Sequence, residues 1–81
     1  MIKYKIDVAK ELKKIGLTST IIKQRKIFSQ ATFQKIKSGN TNISMETLNK
    51  LCFLLDCRPE DIIRYVESNE DREKMEDIRG Y

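Results

Sequence analysis

Histidine is absent from these 81 residues, and cysteine occurs only twice. A structural zinc site takes four Cys or His ligands, so Cys52 and Cys57 cannot close one by themselves. Cys52 falls on an apolar helical face, so both cysteines are expected as reduced, packed thiols. No apolar run approaches the ~20 residues a membrane span needs. The opening MIKYKIDVAK has no apolar core of the kind a secretion leader carries, so a cytoplasmic protein without a membrane partner is expected. Glu60, Asp61 and Glu67 have neither a histidine nor a partner nucleophile, and no glycine-rich loop lies nearby. No enzyme, metal or cofactor is expected from them. Tyr4, Tyr65 and Tyr81 are too scattered to form a stacking platform, which counts against single-strand binding. Internal repeats are missing as well.

Acidic residues are scarce in one half only. Residues 1–39 hold ten Lys or Arg against Asp7 and Glu11, a net of +8, while residues 40–81 hold six against ten acids, a net of −4. An evenly solvated surface would not separate in this way, so the N-terminal half has the sign of a polyanion-binding surface. At this length the core lies near the lower limit for independent stability, and small chains often rely on a dimer partner.

Ile2, Tyr4 and Ile6 alternate with Lys3 and Lys5, a short strand-like pattern. This segment is expected to pair with another extended segment near the end or to lie on the core. From an N-cap at Asp7, Val8, Leu12 and Ile15 recur at helical spacing up to Gly16, with Leu17 folding back. Thr18 can cap a second helix with Ile21 and Ile22 inward and Lys23, Arg25 and Lys26 outward. Ile27 and Phe28 form a turn, with Phe28 directed into the core. Ser29 caps a third helix ending at Ser38-Gly39, and Asn40 to Ile43 is a polar loop. Ser44 caps a fourth, with Glu46 in its first turn and Leu48, Leu51, Cys52 and Leu55 as an apolar stripe. Pro59 opens a fifth helix containing Ile62, Ile63 and Val66. The charge-dense remainder is expected as frayed helix or disordered tail. The result is an all-α, compact five-helix domain over 1–68 with a charged tail over 69–81.

Residues 18–39 carry the chemistry. The third helix turns Phe33 and Ile36 inward and offers polar side chains without acids on its other face, beside a basic second helix. The set Gly16-Leu17-Thr18, Ile22, Phe28-Ser29, Phe33, Ile36, Gly39, Leu48, Leu51-Cys52 and Leu55-Asp56-Cys57 with Pro59 to Ile63 resembles the Cro/C1-type (XRE) helix-turn-helix family. The likeness covers about residues 6–66 and is nearest to small single-domain bacterial and phage regulators. It implies a lambda-repressor-like domain whose third helix lies in the major groove of double-stranded DNA. By position, Gln30, Ala31 and Lys35 would read bases, with Thr32 and Gln34 at the margin. Thr18, Ser19, Ser29, Lys37, Ser38, Asn40 and Thr41 would hold phosphates. Lys10, Lys13 and Lys14 read as a solvated helix face.

Three positions depart from the family. Ser19 stands where it usually has glutamine, Lys23 where it has a small residue, and Ile27 where it has glycine. A β-branched residue is disfavoured in the left-handed region, so the turn at Ile27 is expected to be wound differently. The function implied is a transcriptional regulator, a repressor acting as a homodimer without a small-molecule effector. Helix five and the N-terminal segment are its candidate dimer surfaces. Two other readings stay open: an interaction module, such as an antitoxin that regulates itself through the same motif, or a scaffold that has lost DNA binding.

Overall fold

The computed structural model describes residues 1–79, and Gly80 and Tyr81 at the end of the expected tail lie outside them. The chain runs β1 (Ile2–Tyr4), α1 (Val8–Lys14), α2 (Ser19–Gln24), α3 (Gln30–Ser38), α4 (Met45–Leu55), α5 (Pro59–Ile62), β2 (Ile63–Tyr65) and α6 (Asn69–Arg79).

Helices α1 to α4 start by one device. Asp7, Thr18, Ser29 and Ser44 each accept a hydrogen bond from a first-turn N–H, those of Lys10, Ile21, Thr32 and Thr47. Each such cap is worth about 1 kcal/mol. All four stand where the sequence places them.

The same helices also end alike. A left-handed residue follows each: Gly16 (φ 88°), Lys26 (φ 53°), Gly39 (φ 80°) and Asp56 (φ 50°). The next N–H then closes the last turn, Leu17 to Leu12 O at 2.9 Å, Ile27 to Ile22 O at 3.1 Å, Asn40 to Lys35 O at 2.9 Å and Cys57 to Cys52 O at 3.0 Å. Leu17, Ile27 and Cys57 then pack against the core. Glycine takes two of the left-handed positions. Lys26 and Asp56 take the others, at roughly 1 kcal/mol each for the Cβ clash.

The core is Val8, Leu12, Ile22, Phe28, Phe33, Ile36, Leu48, Leu51 and Ile62, with no buried polar residue among the described residues. Helix α1 packs against α3 and α4, and α3 is held from behind through its buried Phe33 and Ile36.

Two elements differ from the sequence reading. The fifth helix is a single turn that stops at Ile62, and Ile63–Tyr65 forms a strand antiparallel to β1, with Ile2 opposite Tyr65 and Tyr4 opposite Ile63. Ile63, Tyr65 and Val66 are β-branched or aromatic, and β1 supplies backbone partners that a longer helix would leave unmet. The ladder is extended by Lys5 N–H to Ile62 O and Val66 N–H to Met1 O, both at 2.8 Å. Both expectations for the N-terminal segment are realised, since β1 pairs with β2 while Tyr4 and Ile6 pack against the core.

The tail residues 69–79 form a helix. Ser68 Oγ accepts the Asp71 N–H at 3.2 Å, Glu70 and Asp71 occupy the first turn, and Arg72 meets Glu76 at 3.2 Å. Among the described residues, helix α6 packs extensively against no other element. Its reach takes the radius of gyration to 14.9 Å, above the roughly 12 Å of a compact chain this long. Asp71 ties it back, with its carboxylate 2.8 Å from the N-terminal ammonium.

Candidate nucleic-acid interface

The turn between α2 and α3 is built from Lys26, Ile27 and Phe28. Lys26 takes the left-handed conformation, so the β-branched Ile27 avoids it and packs on the core instead. The departure at the family's glycine position is thus accommodated by an unbranched residue one place earlier. Phe28 is buried. From α4, Lys50 reaches over the turn: its Nζ donates to Ile27 O at 2.8 Å and stands 5.5 Å from the Phe28 ring centre. A cation–π contact and a charged hydrogen bond therefore clamp the turn from outside.

On α3, Ser29 accepts the Thr32 N–H at 3.1 Å and donates its hydroxyl to Thr32 Oγ1 at 2.9 Å. Thr32 is half-buried and committed to the cap. Phe33 and Ile36 are buried behind it. Gln30, Ala31 and Gln34 are exposed and Lys35 half-buried, all on the arc away from the core. The side-chain bonds of α3 are Ser29 with Thr32, and Ser38 Oγ to Lys35 O at 3.1 Å. The amides of Gln30 and Gln34 and the Lys35 ammonium are therefore left for a ligand.

The expected phosphate contacts divide in two. Thr18 Oγ1 caps α2, Ser29 Oγ caps α3, and Asn40 Oδ1 accepts the Asn42 N–H at 2.8 Å. Thr41 Oγ1 donates to Ile2 O and Tyr4 Oη to Asn40 O, both at 3.0 Å, so the loop after α3 is fastened to β1. Burial pushes the Tyr4 phenol above its ordinary value and keeps it a neutral donor. Ser19 and Lys37 are exposed. The Lys37 ammonium stands 5.1 Å above the Phe33 ring, which aims it along the flank of α3.

Sequence reasoning missed one grouping. An open cleft of about 590 Å³ between α1, α2 and α3 is lined by Lys10, Lys13, Thr18, Ser19 and Lys37, among others. Lys10 and Lys13, read as a solvated face, thus join the expected phosphate residues, whereas Lys14 pairs with Glu11 at 3.0 Å. The signal was the spacing of three, which puts Lys10 and Lys13 on one side of α1. On the other flank Lys23 and Lys26 line a second groove with Ser29 and Gln30. Lys23 is exposed, so its stem runs outward as its bulk requires. The polar arc therefore lies between two pairs of lysines, with Lys37 beside the first.

No cluster of three His, Cys, Asp or Glu able to hold a metal occurs among the described residues. Burial, then the neighbouring Cys52, Asp61 and Asp56, push the Cys57 thiol up, so it is not an activated thiolate. No described helix is long and apolar enough to cross a membrane.

A family model described as a Cro/C1-type HTH DNA-binding domain matches residues 3–68. No curated protein and no solved structure matches the chain.

Proposed function

Since the chain belongs to the Cro/C1-type helix-turn-helix DNA-binding family, we propose that it is a cytoplasmic transcriptional repressor that occupies an operator as a homodimer. Helix α3 enters the major groove, where Gln30 and Gln34 address adenine edges, Lys35 donates to guanine and the Ala31 methyl meets a thymine methyl. Lys10, Lys13, Lys37 and Ser19 hold the backbone on one side, Lys23 and Lys26 on the other. Thr18, Ser29, Ser38, Asn40 and Thr41 shape the contact surface through their caps and turns, and Thr32 stands at its margin. Residues 1–68 form the DNA-reading unit and 69–81 an accessory tail. No enzymatic step and no small-molecule effector belong to this reading.

The observation that carries it is the polar arc of α3, whose Gln30, Gln34 and Lys35 side chains have no hydrogen-bond partners among the described residues and which sits between basic flanks. A single recognition helix reads only a few base pairs, so two half-sites about one helical turn apart are needed for useful specificity. Selection of sites from a random duplex pool at near-physiological salt tests the reading. An enriched inverted repeat with half-sites about ten base pairs apart is expected. Absence of enrichment by folded protein would overturn it and favour the interaction module, for which α6 supplies an acidic helix with exposed Met75 and Ile78.

A further inference from the structure

Helix α4 has an inner face and an outer one. Leu48 and Leu51 are buried, with Cys52 and Leu55 half-buried beside them. On the outside Met45, Asn49 and Phe53 follow one another every fourth residue, forming a single ridge. Met45 is 78% exposed and Phe53 84%. Beside Met45 the surface opens into a mostly apolar recess of about 150 Å³, lined by Ile2, Ile43, Met45, Leu48 and Ile63, with Thr41 and Ser44 also on its wall. A recess of that size has room for a benzene ring. The chain thus carries an aromatic knob at one end of this helix and a matching hole at the other.

We propose that a second copy of this chain covers this face. The two α4 helices run antiparallel about a two-fold axis at Asn49, and each Phe53 enters the partner's recess beside Met45. This deepens the dimer of the reading above, and rests on that reading for its purpose on DNA.

Self-complementarity is the argument. A two-fold interface must use the same patch on both copies, so every knob needs its hole at the symmetry-related place. Asn49 lies midway between Met45 and Phe53. In an antiparallel pair Asn49 therefore faces its own copy, while Met45 faces Phe53. Ridges of this spacing interdigitate at a crossing angle of about 50°. The central amides each donate and accept, so they satisfy one another and fix the register.

Size agrees with a weak dimer. A buried aromatic covers about 150 Å² or more, and Met45 and the half-exposed Ile2 enlarge the patch. Together they fall short of the ~800 Å² per partner of a standard interface. DNA, by holding two copies at adjacent half-sites, supplies the remaining association through effective concentration. Helix α6 is a poorer occupant, because Glu76 and Asp77 flank its Met75 and Ile78 and would be carried to the rim of a dry recess.

Sedimentation equilibrium without DNA tests the proposal. The wild-type chain is expected to show a reversible monomer–dimer equilibrium at high concentration. Phe53→Ser, at an exposed position, should keep its circular dichroism spectrum and raise the dimer dissociation constant about 30-fold, the loss typical of an aromatic anchor. On mild oxidation Asn49→Cys should cross-link into dimers, whereas Lys74→Cys on α6 and the wild-type chain with its native cysteines should not. A wild-type chain that stays monomeric overturns the proposal. So does a Phe53→Ser chain that dimerises like wild type, or an Asn49→Cys dimer that fails to cross-link. Loss of DNA reading alone would strike the function above and leave the dimer seen in sedimentation standing.

Discussion

At Lys26 stability and the proposed DNA binding are expected to pull in opposite directions. Its left-handed backbone costs roughly 1 kcal/mol that glycine would avoid. Lys26→Gly is therefore expected to raise unfolding stability by about 1 kcal/mol in urea titrations. The same change removes a cation from the groove beside Gln30 and should weaken DNA binding on all sequences. Lys35 and Lys37 separate along another line. Lys35→Ala should relax base preference, costing about 1–3 kcal/mol of discrimination. Lys37→Ala should weaken specific and random DNA equally and lower the salt slope by about one. Equal losses from both variants on both kinds of DNA would dismiss the assignment of α3 as the reading helix.

Elements in this chain are defined by their ends. Four capping side chains and four left-handed terminators bound α1 to α4. Helix α6 is different, since it depends on Ser68 and on the pairing of Asp71 with the N-terminal ammonium. The hydrogen bond from that ammonium, followed by the one donated by the Ser68 hydroxyl, holds the Asp71 carboxyl below its ordinary value. The folded state then binds fewer protons than the unfolded one. The stabilisation is complete above the ordinary aspartate value of about 4 and is lost as pH falls through the depressed folded value. Hydrogen exchange along α6 should accelerate in that acid window before α1 to α4 respond. Asp71→Asn should loosen α6 at neutral pH and abolish the pH dependence; an unchanged exchange pattern would show that α6 is held by something else.

For the whole molecule, the basic half and the acidic half occupy different ends of the chain. Deleting residues 69–81 is expected to leave site-specific DNA affinity nearly intact in a mobility-shift titration. A large loss would assign the tail a part in the DNA-bound form.

The boundaries of α1 to α4, the inward Phe33 and Ile36 and the polar arc of α3 were legible because caps, terminators and periodicity act within a few residues. The sequence alone also determined the unequal charge of the two halves and, through the spacing of its motif, the family. Only tertiary structure decided the rest. Ile63–Tyr65 became a strand because β1, some sixty residues earlier in the chain, offered backbone partners. Lys10 and Lys13 joined Ser19 and Lys37 because α1 packs against α3. Lys50 reached the turn, and the recess beside Met45 formed, because segments far apart in sequence met around one apolar core. Local preferences set where each helix starts and stops, whereas contacts between distant segments exist only once the chain has closed on itself.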